Sequence, residues 1–180
     1  MRRNEGFTIL MLLVAASVLA VGLLVAVPVW QTQIQRENED ELIFRGNQYV
    51  EAIRRYQTKN PGRFPQTLEE LHKKRFLRRL FPDPMTKHGR WDIIIQDVRL
   101  SPGGRPPSGT SGAGMQLLVV PQASIGAFSS PRILGVVSSS SRTSLRLYND
   151  EDIYNKWYFY YGRDAKGKAD IKVFGESERP

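Results

Sequence analysis

The chain has 180 residues and no cysteine, which excludes disulfide bonds and thiolate metal sites. Hydrophobic residues make up 41% and charged residues 24%, proportions ordinary for a protein with one globular domain. The formal net charge of +8 predicts a cationic surface suited to acidic protein partners, an anionic membrane or nucleic acid, and in a membrane-tethered protein we rank nucleic acid last.

The first 30 residues contain a long apolar stretch. From Phe7 to Trp30 no residue carries a charge. As a helix rising ~1.5 Å per residue the stretch is about 36 Å long, enough to cross a hydrocarbon core of about 30 Å. It is longer than the apolar part of a secretory signal peptide and has no small-residue cleavage site at its end. Residues 7–30 are therefore predicted to form a transmembrane helix, and the basic leader, residues 1–6, predicts a cytoplasmic N-terminus.

The residues at the leader junction resemble those of a known family. Gly6-Phe7-Thr8-Ile9-Leu10, followed by the apolar helix, is similar to the processing site of type IV pilins and type II secretion pseudopilins. The resemblance implies that a prepilin peptidase cuts between Gly6 and Phe7 and that Phe7 becomes N-methylated. It also implies a helix kink at Pro28. The chain departs from the family at Met11, where a glutamate is usual; some pseudopilins also lack it.

Residues 31–60 are predicted to continue the helix as an amphipathic segment. Apolar positions recur at spacings of three and four, at Leu42, Gly46, Tyr49, Ile53 and Tyr56. The aromatic side chains of Phe44, Tyr49 and Tyr56 are expected to contact a core, and Gly46 to allow the close approach of a packed element. The run Lys59-Asn60-Pro61-Gly62 is expected to end the helix near Thr58.

Residues 61–180 are predicted to form a globular α+β domain. Thr67 and Glu70 form a capping box, so a short helix is expected from Leu68 to about Phe76. Strands are expected at residues 91–96, 115–120, 132–137, 157–161 and 171–174. Short links between them predict a small antiparallel sheet packed on the long helix, with a flexible loop at 101–114 and a second loop at 138–156. The overall expectation is a pilin-like α+β fold.

The resemblance extends over about the first 95 residues. These segments are similar to a subgroup of major-pseudopilin-like type II secretion proteins: residues 41–49, 63–65, 68–71 and 82–86, the last followed by Trp91. These segments resemble a major subunit of a filament, whereas Met11 is not typical of a major subunit. Whether the chain is a major or a minor subunit therefore stays open.

No catalytic motif is found in the sequence. His72 and His88 lack metal-ligand spacing, and no nucleophile elbow, P-loop or dinucleotide fingerprint occurs. The chain is therefore predicted not to be an enzyme and to need no cofactor. The acidic run Asn149-Asp150-Glu151-Asp152 raises a calcium hypothesis, with Asp150 and Asp152 as ligands, but a solvated turn is favoured.

A basic run covers residues 73–79. It lacks an RNA-binding motif and interleaved aromatic residues, so a solvated face or a subunit contact is favoured over nucleic acid.

Together the features predict a pseudopilin-like structural subunit of a type II secretion apparatus. The resemblance implies three partners: other pseudopilin or pilin subunits, a prepilin peptidase and an inner-membrane assembly platform. It implies a single-pass protein of the bacterial inner membrane with a periplasmic C-terminal domain, assembled into a short filament that drives protein export. Two alternatives remain: a minor type IV pilin or competence pseudopilin, and an unprocessed signal-anchored periplasmic domain.

Overall fold

A computed structural model describes residues 5–96, 116–128, 130–162 and 170–174. The chain divides into two compact units, Met1–Asn38 and Glu39–Pro180. The architecture is α+β, as predicted. The loop predicted at 101–114 lies outside the described residues.

The first helix, α1, spans Glu5–Lys59. Its C-terminal end lies one residue beyond the predicted limit, where the amide and the side chain of Asn60 both donate to the carbonyl of Tyr56, at 2.8 and 3.2 Å. Gly62 follows with a φ of +76°, a conformation that favours glycine and turns the chain. The backbone is helical at Pro28. The bend expected there stays a prediction.

The globular unit is built around a five-stranded sheet. The strands are β1 (Trp91–Gln96), β2 (Gln116–Pro121), β3 (Ile133–Ser138), β4 (Thr143–Tyr148), β5 (Glu151–Ile153), β6 (Phe159–Tyr160) and β7 (Asp170–Val173). The sheet has the order β6-β3-β1-β2-β7, and β4 pairs with β5 in a separate two-stranded sheet. The strands β1, β2 and β3 begin within one residue of their predicted starts.

The predicted antiparallel sheet is wrong at one edge. β7 pairs in parallel with β2, with Leu117 beside Ile171 and Val119 beside Val173, so the sheet is mixed. The remaining pairs of the sheet are antiparallel. A parallel pair needs a long connection, and the chain between β2 and β7 is long enough to return to the same end of the sheet.

The predicted loop at 138–156 is also wrong, because it contains the hairpin β4–β5. Tyr148 pairs with Glu151, and the two residues between them, Asn149 and Asp150, have φ values of +57° and +66°. Positive φ at both central residues defines a type I′ turn, the form that matches the twist of paired strands. Farther along the chain, the strand predicted at 157–161 is shorter, limited to Phe159 and Tyr160.

The apolar face of α1 in the globular unit packs against the sheet. Leu42, Tyr49, Ile53 and Tyr56 are buried in one cluster with β1, β3 and β6, which confirms the predicted stripe. A smaller cluster also draws on the central strands, and its members are Ile94, Leu117, Val119, Leu134, Val137 and Tyr160. The central strands therefore contribute to both clusters, which explains why β3 is buried along its whole length.

The predictions for Gly46 and Phe44 on α1 have different outcomes. A Cβ atom on Gly46 would lie 2.4 Å from Cγ of Phe159, so the expected close approach is confirmed, with β6 as the approaching element. Phe44 is 52% exposed, so its predicted core position is wrong. Its ring packs in a T-shaped arrangement with the Phe81 ring, at a centroid distance of 6.3 Å.

The second helix, α2, spans Leu68–Lys73 and is shorter than predicted. At its start the hydroxyl of Thr67 accepts from the amide of Glu70, at 3.2 Å, as the capping box requires. At its end Arg75 has a φ of +63°, and the amides of Arg75 and Phe76 donate to the carbonyls of His72 and Leu71. These two bonds form a Schellman motif, which ends the helix before Phe76.

Candidate functional site

The N-terminal part of α1 exposes apolar side chains along its whole described length. From Gly6 to Leu23 no residue is buried, and the helix is long and apolar enough to cross a membrane. Phe7 is 68% exposed and Met11 66%. Within this segment Ser17 donates its hydroxyl hydrogen to the carbonyl of Leu13, at 2.8 Å, so the hydroxyl is satisfied inside the helix. An exposed apolar surface of this extent is suited to lipid or to contact with other chains.

Gly6 and Phe7, the predicted cleavage and methylation residues, lie in the first turns of α1. A Cβ atom on Gly6 would meet no atom within 4 Å, so nothing in the described chain covers that peptide. The structure keeps both residues accessible, and the processing itself stays a prediction.

A buried carboxylate, Glu39, joins α1 to the hairpin β4–β5. Its side chain is 0% exposed, and Oε1 accepts from the amide of Leu145 and from the hydroxyl of Tyr154, each at 2.7 Å. Oε2 lies 3.5 Å from Nε of Arg146 and has no hydrogen-bond donor. The guanidinium of Arg146 also pairs with Asp40. Glu39 therefore holds the hairpin to the helix, because leaving a buried carboxylate without donors is costly.

A second buried carboxylate, Asp83, fastens the proline-rich loop to the sheet. Oδ1 accepts from the amide of Met85 and Oδ2 from the hydroxyl of Ser138, each at 2.8 Å. Burial raises the pKa of Asp83, and these hydrogen bonds oppose the rise. Burial also raises the pKa of Asp92, with a smaller contribution from the charge of Asp83. The pair therefore favours the protonated form more than exposed carboxylates do.

Tyr49 connects the same loop to α1. Its hydroxyl donates to the carbonyl of Phe81, at 2.9 Å, and accepts from the amide of Phe81, at 3.0 Å. The indole nitrogen of Trp91 donates to the same carbonyl, at 2.8 Å. Burial raises the pKa of Tyr49 to about 12. The hydroxyl therefore stays protonated and serves as a structural anchor at neutral pH.

The two calcium candidates lie in the hairpin β4–β5. Asp150 is the second residue of the turn, and the carbonyl of Asp152 accepts from the hydroxyl of Ser144, at 2.9 Å. Among the described residues no group of three or more His, Cys, Asp or Glu side chains is placed to hold a metal ion. The acidic run forms the exposed turn that the sequence favoured, and calcium binding stays untested.

The basic run and the two histidines are on the surface. His72 and His88 are exposed, as expected. Within the basic run Lys74 pairs with Glu70, at 2.7 Å, and the guanidinium of Arg79 lies 4.9 Å from the ring centroid of Phe81. Within the part of the chain that the structure describes, the other cations of the run form no ion pair with an acidic side chain.

Sequence reasoning missed Glu39 and Asp83, the two carboxylates with the most extensive buried contacts. Glu39 stands in the polar run Glu37–Glu41, which reads as a solvated helix face. Its position three residues before Leu42, on the same stripe, is the signal that places it toward the core. Asp83 lies between two prolines in a predicted loop, and no local pattern distinguishes a buried loop carboxylate from an exposed one.

No protein family, no curated protein and no solved structure matches the chain in comparisons with known proteins. The functional proposal therefore depends on the chain's own residues.

Proposed function

We propose that the chain is a pseudopilin-like structural subunit of a type II secretion apparatus, with no enzymatic role. The peptidase cut falls between Gly6 and Phe7, the new N-terminus at Phe7 is methylated, and the mature chain is stored in the inner membrane by residues 7–30. Extraction into a short periplasmic filament then drives protein export. One observation supports this best: an apolar helical segment begins directly after the Gly6-Phe7 junction and is exposed throughout its described part.

The exposure of this segment suits a subunit that changes its surroundings. In the membrane its side chains contact lipid, and in a filament they contact the same segments of neighbouring subunits. Both environments keep the apolar surface from water, so the transfer changes the burial partner and not the extent of burial. A stored subunit can therefore enter the filament without exposing the segment to solvent.

Met11 affects how the segment is held. It would be the fifth residue of the mature chain, and it is exposed on the helix. A methionine at this position lowers the free-energy cost of holding the segment in the membrane, because no carboxylate must be buried in lipid. It also removes the charge that would pair with the amino terminus of a neighbour. In this subunit assembly therefore depends on apolar packing and on contacts of the globular unit.

The cleavage hypothesis is tested by placing a side chain at the junction. The chain is expressed in a host with a prepilin peptidase as wild type, as Gly6→Val and as Gly22→Val. A Cβ atom meets no atom within 4 Å at either glycine, so the two positions have the same open surroundings and Gly22 is the matched control. We expect leader removal in the wild type and in Gly22→Val, and an uncut chain in Gly6→Val, when the N-terminus is sequenced.

Two outcomes would contradict the proposal. Leader removal from Gly6→Val at the wild-type rate would place the cut elsewhere. A wild-type chain that stays uncut in membranes of that host would support an unprocessed signal-anchored domain.

A further inference from the structure

Three cations of the basic run form a cluster that no described acidic side chain neutralises. The side chains of Lys73, Arg75 and Arg78 are exposed, and no ion pair or hydrogen bond joins them to another described residue. Lys73, Arg75 and Arg78 line one surface depression together with His72, and Leu77 completes its lining. We call Lys73, Arg75 and Arg78 the cationic cluster.

Some cations of the globular unit differ from the cationic cluster because an acid lies close to them in the chain. On α1, three cations are paired with acids three or four residues away: Arg45 with Glu41, and Arg54 and Arg55 with Glu51. The pairs lie between 2.7 and 2.9 Å. In the cationic cluster no such pair forms, so its positive charge is available to an external partner.

The hairpin β4–β5 presents the opposite charge. The carboxylates of Asp150 and Asp152 are exposed, and no ion pair or hydrogen bond joins them to another described side chain. On the neighbouring strand β4, Leu145 is 47% exposed and Leu147 is 69% exposed. The hairpin therefore carries unpaired acids beside exposed leucines. The cationic cluster also has an exposed leucine close to it in the chain, because Leu80, two residues after Arg78, is 42% exposed.

Within one copy the two surfaces are attached to different parts of α1. The hairpin is fastened at Glu39, through Leu145 and Tyr154. The helix α2, which carries the start of the cationic cluster, is fastened at Tyr56, whose hydroxyl donates to Glu70 at 2.9 Å. Glu39 and Tyr56 are separated by roughly 17 residues of helix, which is about 26 Å. The points at which the two surfaces are attached to α1 are thus far apart in one molecule.

We propose that the hairpin β4–β5 of one copy docks on the cationic cluster of a second copy. Asp150 and Asp152 face Lys73, Arg75 and Arg78, and the exposed leucines on both sides contribute apolar contact. The contact is heterologous, since it joins two different surfaces, and each added copy leaves one free hairpin and one free cluster. It therefore generates an open array. This inference deepens the filament role proposed above and rests on it.

Cysteine cross-linking tests the contact, because the full-length chain has no cysteine of its own. One copy carries Asp152→Cys and a second copy carries Arg78→Cys, and both are expressed in membranes of a host with a prepilin peptidase and a pilus-type assembly machinery. We expect an oxidised dimer only when both variants are present. In the matched control the second copy carries Lys87→Cys, at an exposed cation outside the cluster, and no dimer is expected.

Charge reversal and its rescue then separate a specific contact from random collision. Lys73→Glu with Arg75→Glu on the Arg78→Cys copy should lower the dimer fraction about tenfold, since several exposed ion pairs are lost together. Asp150→Lys on the Asp152→Cys copy should restore dimer formation with the reversed partner. A dimer fraction unchanged by reversal, or not restored by the second reversal, would overturn the contact.

The same membranes report on the filament proposal independently, through the mass of the chain. A cut chain without the dimer would overturn the contact and leave the filament proposal standing. An uncut chain that still shows the dimer and its rescue would support the contact and contradict the filament proposal. An uncut chain without the dimer would contradict both.

Discussion

Glu39 is the residue on which attachment of the hairpin depends most directly. Glu39→Ala removes the acceptor of two hydrogen bonds, one from the partly buried amide of Leu145 and one from the buried hydroxyl of Tyr154. Loss of both bonds should lower the free energy of unfolding by about 2–4 kcal/mol. The measurement is urea unfolding of the full chain in detergent micelles, followed by the fluorescence of the buried Trp91 and Trp157.

Glu41→Ala is the matched control for this prediction. Glu41 belongs to the same helix, but it makes a partly exposed pair with Arg45, at 2.7 Å. Its loss should cost only about 0.5 kcal/mol. Equal losses in the two variants would show that Glu39 does not hold the hairpin.

Asp83 gives a pH dependence with a defined sign. Burial raises its pKa above the ordinary value of about 3.9, so the unfolded chain releases this proton at lower pH than the folded chain. Asp83 therefore favours folding less as the pH rises from about 4 through its folded pKa. In Asp83→Asn this loss is absent, and the part of the Asp92 pKa rise that comes from the Asp83 charge is also removed.

The comparison of Asp83→Asn with wild type isolates the effect. Burial, the largest single effect, raises the pKa of Glu70, but its hydrogen bonds to Lys74 and to the Gln66 amide together outweigh burial and lower the pKa. Glu70 therefore contributes stability that is lost as the pH falls. That contribution is common to both proteins. Between about pH 4 and pH 7 the wild type should lose stability relative to Asp83→Asn. Unfolding curves whose difference stays constant with pH would contradict the prediction.

At the residue scale, periodicity predicts burial well where side chains are apolar and poorly where they are polar. Leu42, Tyr49 and Ile53 are buried as their spacing indicates. The aromatic character of Phe44 predicts burial, but its position off the stripe leaves it 52% exposed. Glu39 was missed because the burial of a carboxylate depends on donors more than 100 residues away in the chain.

At the scale of elements, Gly46 on α1 allows β6 to approach the helix closely. In Gly46→Ala the new Cβ atom would lie 2.4 Å from the ring of Phe159, which is itself 2% exposed. Alanine favours a helix by about 1 kcal/mol over glycine. Overpacking should outweigh that gain and leave a net loss of about 1–3 kcal/mol in the free energy of unfolding.

Gly126→Ala is the control for this packing prediction, because a Cβ atom there would meet nothing within 4 Å. We expect its effect to stay within about 0.5 kcal/mol. Phe159→Leu replaces the facing ring with a smaller side chain. It should therefore reduce the loss in the free energy of unfolding that Gly46→Ala causes, when the two changes are combined in the double variant. Additive effects of Gly46→Ala and Phe159→Leu in urea unfolding would contradict the close contact.

Helices and strands with a strong local signal, β7 among them, are predicted within a few residues, but the direction in which distant strands pair is not. The long helix and β1 follow from periodicity and from β-branched residues. The hairpin β4–β5 was missed because its strands follow a serine run, although Asn149 and Asp150 supply a two-residue turn. The parallel pairing of β7 with β2 has no local signal, because it is decided by the route of the chain between them.

At the scale of the whole molecule, the two units carry different parts of the functional proposal. The family resemblance comes from the first unit and from scattered segments up to Trp91, whereas the docking surfaces belong to the globular unit. The sequence alone predicts the α+β class and the membrane helix. The unpaired charges of the cationic cluster and the hairpin cannot be predicted from the sequence, because the fold determines which acids and bases form ion pairs.

The proposed processing at Gly6-Phe7 predicts a defined mass for the mature chain. Intact mass is measured on the full-length chain purified from membranes of a host with a prepilin peptidase. The predicted result is the mass of residues 7–180 plus one methyl group on the amino terminus of Phe7. The unchanged mass of residues 1–180, or a cut at any other peptide bond, would contradict it.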